Sequence, residues 1–211
     1  MARKTGSHSD ITGPKVRDAA MRLFTEHGYA GVSMRQIAAE VGVQAGALYL
    51  YTPNKQSLLF DLLLEQMRGA VERLNQTDLT GPPEEQIEAF VRAHFQFHMG
   101  GAQGIFIPYT ELRNLTSENY KKLEEMRRIY ERELEKIIQV GADAGVFDAP
   151  DSKLSTLVVI SILNGVLAWY RPDGRVPLAD VEDYYVSVIR KTLSAAGEPR
   201  PVLETSEIQI S

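Results

Sequence analysis

Residues 33–55, SMRQIAAEVGVQAGALYLYTPNK, carry two short helical patterns separated by a glycine and closed by a proline, and this punctuation constrains the fold more than any other stretch of the chain. Ser33 with Gln36 three residues on is a capping-box pair, in which each side chain satisfies a backbone N–H at the other's position and starts a helix. Met34, Ile37, Ala38 and Val41 then recur at i, i+3, i+4 and i+7, giving that helix one apolar face. Gly42 can take the left-handed conformation that ends it. Residues 45–51 offer about two further turns, until Pro53 pushes Thr52 out of the α region and Asn54 caps the next helix. Upstream, Val16, Ala19, Ala20, Leu23 and Phe24 form one stripe of a helix that ends near Gly28. Three helices in this order have the layout of a helix-turn-helix, whose second member lies against a DNA groove. On pattern alone, a fragment of an ordinary helical bundle competes with that reading.

From about Val16 through Leu63 the chain resembles the TetR family of bacterial one-component repressors. The stretch FTEHGYAGVSMRQIAAEVGVQAGALYLYTPNKQSLL carries the resemblance: a glycine, an N-cap serine, the AAEVGV turn, the GALY recognition helix and the NK start of the next helix, in that order. The resemblance implies an all-α protein with an N-terminal DNA-binding domain at residues 1–55. It also implies a larger helical ligand-binding and dimerisation domain at residues 56–211, a homodimer, and release from a palindromic double-stranded DNA operator by a small molecule. By the same resemblance, Arg35 and the segment with Gln44, Ala45, Gly46 and Tyr49 face base edges. Ser33, Tyr51 and Lys55 touch phosphates, Lys55 helped by its place at a helix start. Two positions depart from the family pattern. Gln44 and Ala45 stand where many members carry Ser then Lys or Arg, which leaves Arg35 and Gln44 as the strong base readers. Thr52 replaces an aromatic, and is expected to loosen packing behind Tyr49.

A net charge of −5 is unusual for a DNA binder until it is divided along the chain. Residues 1–55 hold seven Lys or Arg against four Asp or Glu, a balance of +3, which leaves −8 for the remainder. A basic end on an acidic body orients the molecule toward phosphate. Arg3 and Lys4 are read as a solvated tail. The absence of cysteine excludes disulfides, and MARKTGSHSD has no apolar signal core, so a cytoplasmic location is expected.

The rest of the chain continues in helical periods. Residues 54–76 place Leu58, Leu59, Leu62, Leu63 and Met67 inward; residues 84–99 form the next helix; GGAQG at 100–104 lacks the Lys-Ser/Thr ending of a phosphate loop and reads as a hinge or turn. A short helix is expected within 105–115, long ones over 117–144 and 178–196, and a frayed tail from about 197. Residues 154–170 carry no charge over 17 positions. That is the short edge of a membrane span and is interrupted by polar residues. It reads instead as a helix buried on both sides, one of them by a second subunit, with no membrane involved.

Candidate ligand contacts are His94 and His98, which share a helix face at i, i+4, together with Tyr109, Asn164, Trp169 and Arg171. Two histidines without a third ligand make polar handles in an apolar pocket a better reading than a metal site. The segment GVLAWYRPDG at 165–174 resembles the C-terminal part of a TetR subgroup that senses acyl-CoA thioesters or related acids. There Trp169 offers an aromatic wall and Arg171 a fixed charge for a carboxylate or phosphate. Equally, Trp169 is core and Arg171 caps helix carbonyls. The competing function is a helical enzyme using His94, His98 and Glu111, but no nucleophile elbow, cysteine nucleophile, metal motif or nucleotide loop is present. No cofactor is implied.

Overall fold

The structure, a computed structural model, describes residues 6–99, 107 and 109–194, with side chains from residue 12 onward and excluding those of 109 and 110. Among the described residues, eight α-helices succeed one another: α1 (Gly6–Gly31), α2 (Met34–Val41), α3 (Ala45–Leu48), α4 (Lys55–Asn75), α5 (Pro83–Met99), α6 (Ser117–Asp143), α7 (Ser152–Trp169) and α8 (Leu178–Leu193), with a 3-10 helix at Tyr109–Asn114. Among the described residues there is no strand, only one isolated bridge between Phe147 and Ser194. The expected all-α architecture is therefore what the chain adopts.

Local chemistry sets most helix ends. The capping box of α2 is complete: the Gln36 N–H donates to Ser33 Oγ at 3.3 Å and the Ser33 N–H donates to Gln36 Oε1 at 2.8 Å. Gly42 closes α2 in the left-handed region, with φ 77° and ψ 31°. Asn54 accepts the Ser57 N–H at 2.8 Å to open α4, and Thr116 and Asp151 cap α6 and α7 in the same way. Within α1 the helix breaks at Gly28, whose φ of 71° and ψ of 156° suit only glycine.

The recognition helix is shorter than its sequence predicts. α3 ends at Leu48, and residues 49–51 form a turn in which Leu50 N donates to Ala47 O and Tyr51 N to Leu48 O at 3.3 and 2.9 Å. The cause lies just downstream. Thr52, barred from the α region by Pro53, is buried, and its hydroxyl donates to Asn54 O at 3.0 Å, so the chain must tighten to bring it inward. Thr52 thus does not loosen the packing; it anchors the turn, while Tyr49 stands 57% exposed.

α4 is the spine. It packs on α1 and also against α5 and α6, while α6 packs on α7 and α5 on α8. One continuous apolar cluster runs from Val16 and Phe24 through Leu48, Leu59 and Phe90 to Leu163 and Leu193, so the N-terminal helices and the body share a core. Arg17 pairs with Glu65 to tie α1 to α4. Arg92 ties α5 to α8 through Glu182 and Asp183 at 3.0 and 2.9 Å. α7 has one covered face and one open face, as expected of a helix whose second side is left to another subunit. Val159, Leu163 and Val166 are inward, but Leu154, Val158 and Trp169 are 40%, 42% and 52% exposed, with Ser161, Gly165 and Ala168 also on the surface. This chain covers only one side of it.

Candidate nucleic-acid interface and effector cleft

The helix-turn-helix presents a surface whose groups fall into two sets. Arg35 and Gln44 are exposed. Arg35 makes no ion pair or hydrogen bond among the described residues, and Gln44 opens α3 without its side chain bonding the helix. Ala45 is half-buried, Gly46 is exposed, and both add almost no bulk. Ser33, by contrast, spends its hydroxyl inside the capping box, donating to Gln36 Oε1 at 2.7 Å as well as accepting from the backbone. Tyr51 is half-buried and lays its ring beside Gly13, 3.6 Å from where a Cβ would stand.

Lys55 is also occupied. Its ammonium donates to Tyr29 O at 2.8 Å and Val32 O at 2.7 Å and lies 4.0 Å above the Tyr29 ring. It thereby binds two carbonyls where α1 ends, just ahead of the Ser33 cap, Tyr29 O also accepting the Val32 N–H at 3.3 Å. Burial lowers the Lys55 pKa, opposed by the Glu111 carboxylate. Next to it Gln56 reaches the body: its Nε2 donates to Asn114 O at 2.6 Å, its Oε1 accepts the Thr116 N–H at 3.3 Å, and it also bonds the Tyr29 side chain. Glu111 accepts from Asn114 Nδ2 at 2.6 Å and approaches Gly28, where a Cβ would stand 3.3 Å from Oε1. Glu111 therefore belongs to the junction between the N-terminal helices and the body. Sequence reasoning missed Gln56, because its partners lie 58 and 60 residues further on.

In the body, His94 and His98 are both buried, with ring centroids 4.2 Å apart. His94 Nδ1 is 3.1 Å from the Tyr130 hydroxyl. Burial, and then the neighbouring His98, pushes the His94 pKa well below its usual value; burial alone lowers His98 to about 3. Both rings are neutral at physiological pH. A small cleft is lined by Met67, His94, Arg127, Tyr130, Glu131, Ile160 and Asn164. His94 Nε2 and Asn164 Oδ1 are buried there without a hydrogen-bond partner, a costly state unless a ligand or water meets them. Arg127 is paired with Glu131 at 3.1 Å. No cluster of three metal-ligating side chains occurs among the described residues.

Trp169 and Arg171 do not line this cleft. At about 100° per residue, Trp169 is turned roughly 140° from Asn164 and emerges on the exposed side of α7, edge-on to Tyr170 at 6.2 Å. It is neither core nor pocket wall. Arg171 is exposed, its Nη1 donating to Tyr170 O at 2.9 Å. The Tyr109 side chain, the GGAQG segment, Arg3 and Lys4, and the tail from 197 lie outside the described residues. Leu50, which no sequence pattern marks as a surface residue, stands 82% exposed beside Tyr49.

Residues 16–62 match the family described as bacterial regulatory proteins, tetR family, and residues 80–193 match the tetracyclin repressor-like C-terminal domain. The fatty acid metabolism regulator protein of Bacillus subtilis is 25% identical over 179 residues, 83% of this chain and 92% of the relative. The TetR family regulator PfmR from Thermus thermophilus superposes with a TM-score of 0.75 at 28% identity, over 85% of this chain and 99% of its own. AibR, solved with isovaleryl coenzyme A and operator DNA, shares the fold with a TM-score of 0.75 at 23% identity, over 84% and 97% of the two chains. With both its N-terminal helices and its body matched, this chain belongs to the TetR family of bacterial regulatory proteins, which are DNA-binding transcriptional regulators and not enzymes.

Proposed function

We propose that the protein is a homodimeric repressor that leaves a near-palindromic operator when a small acyl-CoA-like or other hydrophobic effector enters the cleft. Residues 1–55 are the reading head, and residues 56–211 the effector and dimerisation body. Two heads related by a twofold axis enter successive major grooves about 34 Å apart. Arg35 and Gln44 read base edges, Ala45 and Gly46 allow close approach, and Tyr49 lies alongside. Ser33 and Tyr51 meet phosphates through whatever donors their internal bonds leave, as does Lys55 with the one of its three N–H donors not given to a carbonyl.

The observation that carries the effector reading is the pair of unsatisfied polar atoms, His94 Nε2 and Asn164 Oδ1, in a cleft whose wall includes Met67. Met67 lies on the same helix as Lys55 and Gln56, about 18 Å along its axis at 1.5 Å per residue. A ligand that displaces Met67 tilts α4 and the head it carries. A relative named for fatty acid metabolism, and a solved neighbour holding isovaleryl coenzyme A and operator DNA, favour an acyl thioester as that ligand.

Selection of duplexes from a random-sequence pool by the full chain, followed by gel shifts at two salt concentrations, tests the DNA half. Arg35→Ala should lower affinity for the selected duplex by about 1–3 kcal/mol and narrow the gap to random DNA. A variant that binds both duplexes as the parent does would remove Arg35 from the reading set. Isovaleryl-CoA and longer acyl-CoAs test the other half: a raised melting temperature together with loss of operator binding is expected. Stabilisation without loss of operator binding would separate the cleft from regulation.

A further inference from the structure

We propose that Leu50 is a sequence-reading residue, its side chain receiving the 5-methyl group of a thymine in the major groove. The inference rests on the DNA-binding reading above. Leu50 is 82% exposed, more than any other large hydrophobic side chain among the described residues. Tyr184 of α8 follows at 68% and Tyr49, beside Leu50 on the head, at 57%; Leu50 stands there with no partner helix to cover it.

Its footing is rigid. Leu48 and Thr52, on either side, are buried, and the turn is pinned by hydrogen bonds from Leu50 N to Ala47 O and from Thr52 N to Leu48 O at 3.3 and 3.0 Å. Because the turn is already fixed, covering Leu50 costs no further backbone ordering, only side-chain freedom, against its apolar gain. The neighbouring surface is bare: a Cβ built on Gly46 meets nothing within 4 Å. α3 can therefore lie close to the base edges and bring Leu50 within reach of them.

The chemistry of the groove selects the partner. Arginine pairs with the acceptors of guanine and glutamine with adenine, whereas the thymine methyl is the apolar mark of the major groove and is read by apolar contact. Arg35 and Gln44 supply the first two modes, and Leu50 supplies the third.

Deoxyuridine removes that methyl and nothing else. In the duplex enriched by the full chain from a random pool, each thymine is replaced in turn by deoxyuridine, and affinity is measured for the parent and for Leu50→Ala. At one position per half-site the parent should lose about fourfold, the worth of roughly one buried methyl group. Leu50→Ala should bind the thymine duplex correspondingly less well, lose nothing more on the deoxyuridine change, and keep the parent's melting temperature because the side chain is exposed. The inference fails if no replacement weakens the parent, or if the loss persists undiminished in Leu50→Ala. Failure to enrich any duplex would instead overturn the DNA-binding reading, and this inference with it.

Discussion

His94 and His98 stack 4.2 Å apart in a body where neither ring can readily hold a proton. Burial lowers both pKa values, His98 to about 3, while an unfolded histidine titrates near 6.5. As pH falls below about 6.5 the unfolded chain takes up protons that the folded chain refuses, so stability is present at neutral pH and drains away toward the folded values. The slope should approach about 1.4 kcal/mol per pH unit for each histidine. Urea midpoints at pH 7 and pH 5 should therefore diverge strongly in the parent and less in His98→Leu, whatever that substitution does to stability at pH 7. An equal pH response in both proteins would show that the ring is charged or solvated in the fold. The i, i+4 spacing of the two residues placed them on one face in advance. Their neutrality depends on side chains from other helices that close over them, such as Tyr130 of α6 at 3.1 Å.

At the scale of the element, α4 is where reading head and body meet. Its first residues, Lys55 and Gln56, hold the end of α1 on one side and the 3-10 helix with the start of α6 on the other. Gln56→Ala removes both bonds to Asn114 and Thr116 while leaving the Asn54 cap and the apolar face of α4 intact. The head should then keep its fold but lose its fixed angle to the body. Because the chain contains no cysteine, Glu26→Cys can carry a single spin label on each head. The distance distribution between the two labels should broaden in Gln56→Ala, operator affinity should fall about fivefold, in the range expected for a coupling contact, and the melting temperature should hardly move. A distribution as narrow as the parent's would mean that the shared apolar core alone sets the angle.

At the scale of the whole molecule, the exposed side of α7 needs a cover. Leu154, Val158 and Trp169, interleaved with the small residues Ser161, Gly165 and Ala168, make an apolar strip on a helix of 18 residues with no charge after Lys153. A twofold-related copy of the same strip satisfies it, since an isologous contact sets each patch against its own image. Paired Leu154→Lys and Val158→Lys changes should yield a folded monomer by sedimentation, with operator binding reduced to that of a single half-site. Trp169 is the only tryptophan, so its emission should shift to longer wavelength in that monomer. A variant that stays dimeric would put the interface elsewhere.

What the sequence determined by itself was local. The Ser33–Gln36 box, the left-handed Gly42, the Asn54 cap and the apolar stripes of α1, α2 and α4 depend on residues three or four apart, and each was legible before any fold was known. The all-α class and the helix-turn-helix arise from those short-range rules. Outcomes that depend on distant partners were settled by packing. The pull of buried Thr52 cut α3 to one turn. Carbonyls at Tyr29 and Val32 claimed Lys55, and Gln56 found Asn114 and Thr116. Helical rotation turned Trp169 out of the cleft that Asn164 faces. A residue's type limits which bonds it can make, but its neighbours in space decide which of them it does make, and those neighbours are fixed only when the helices pack.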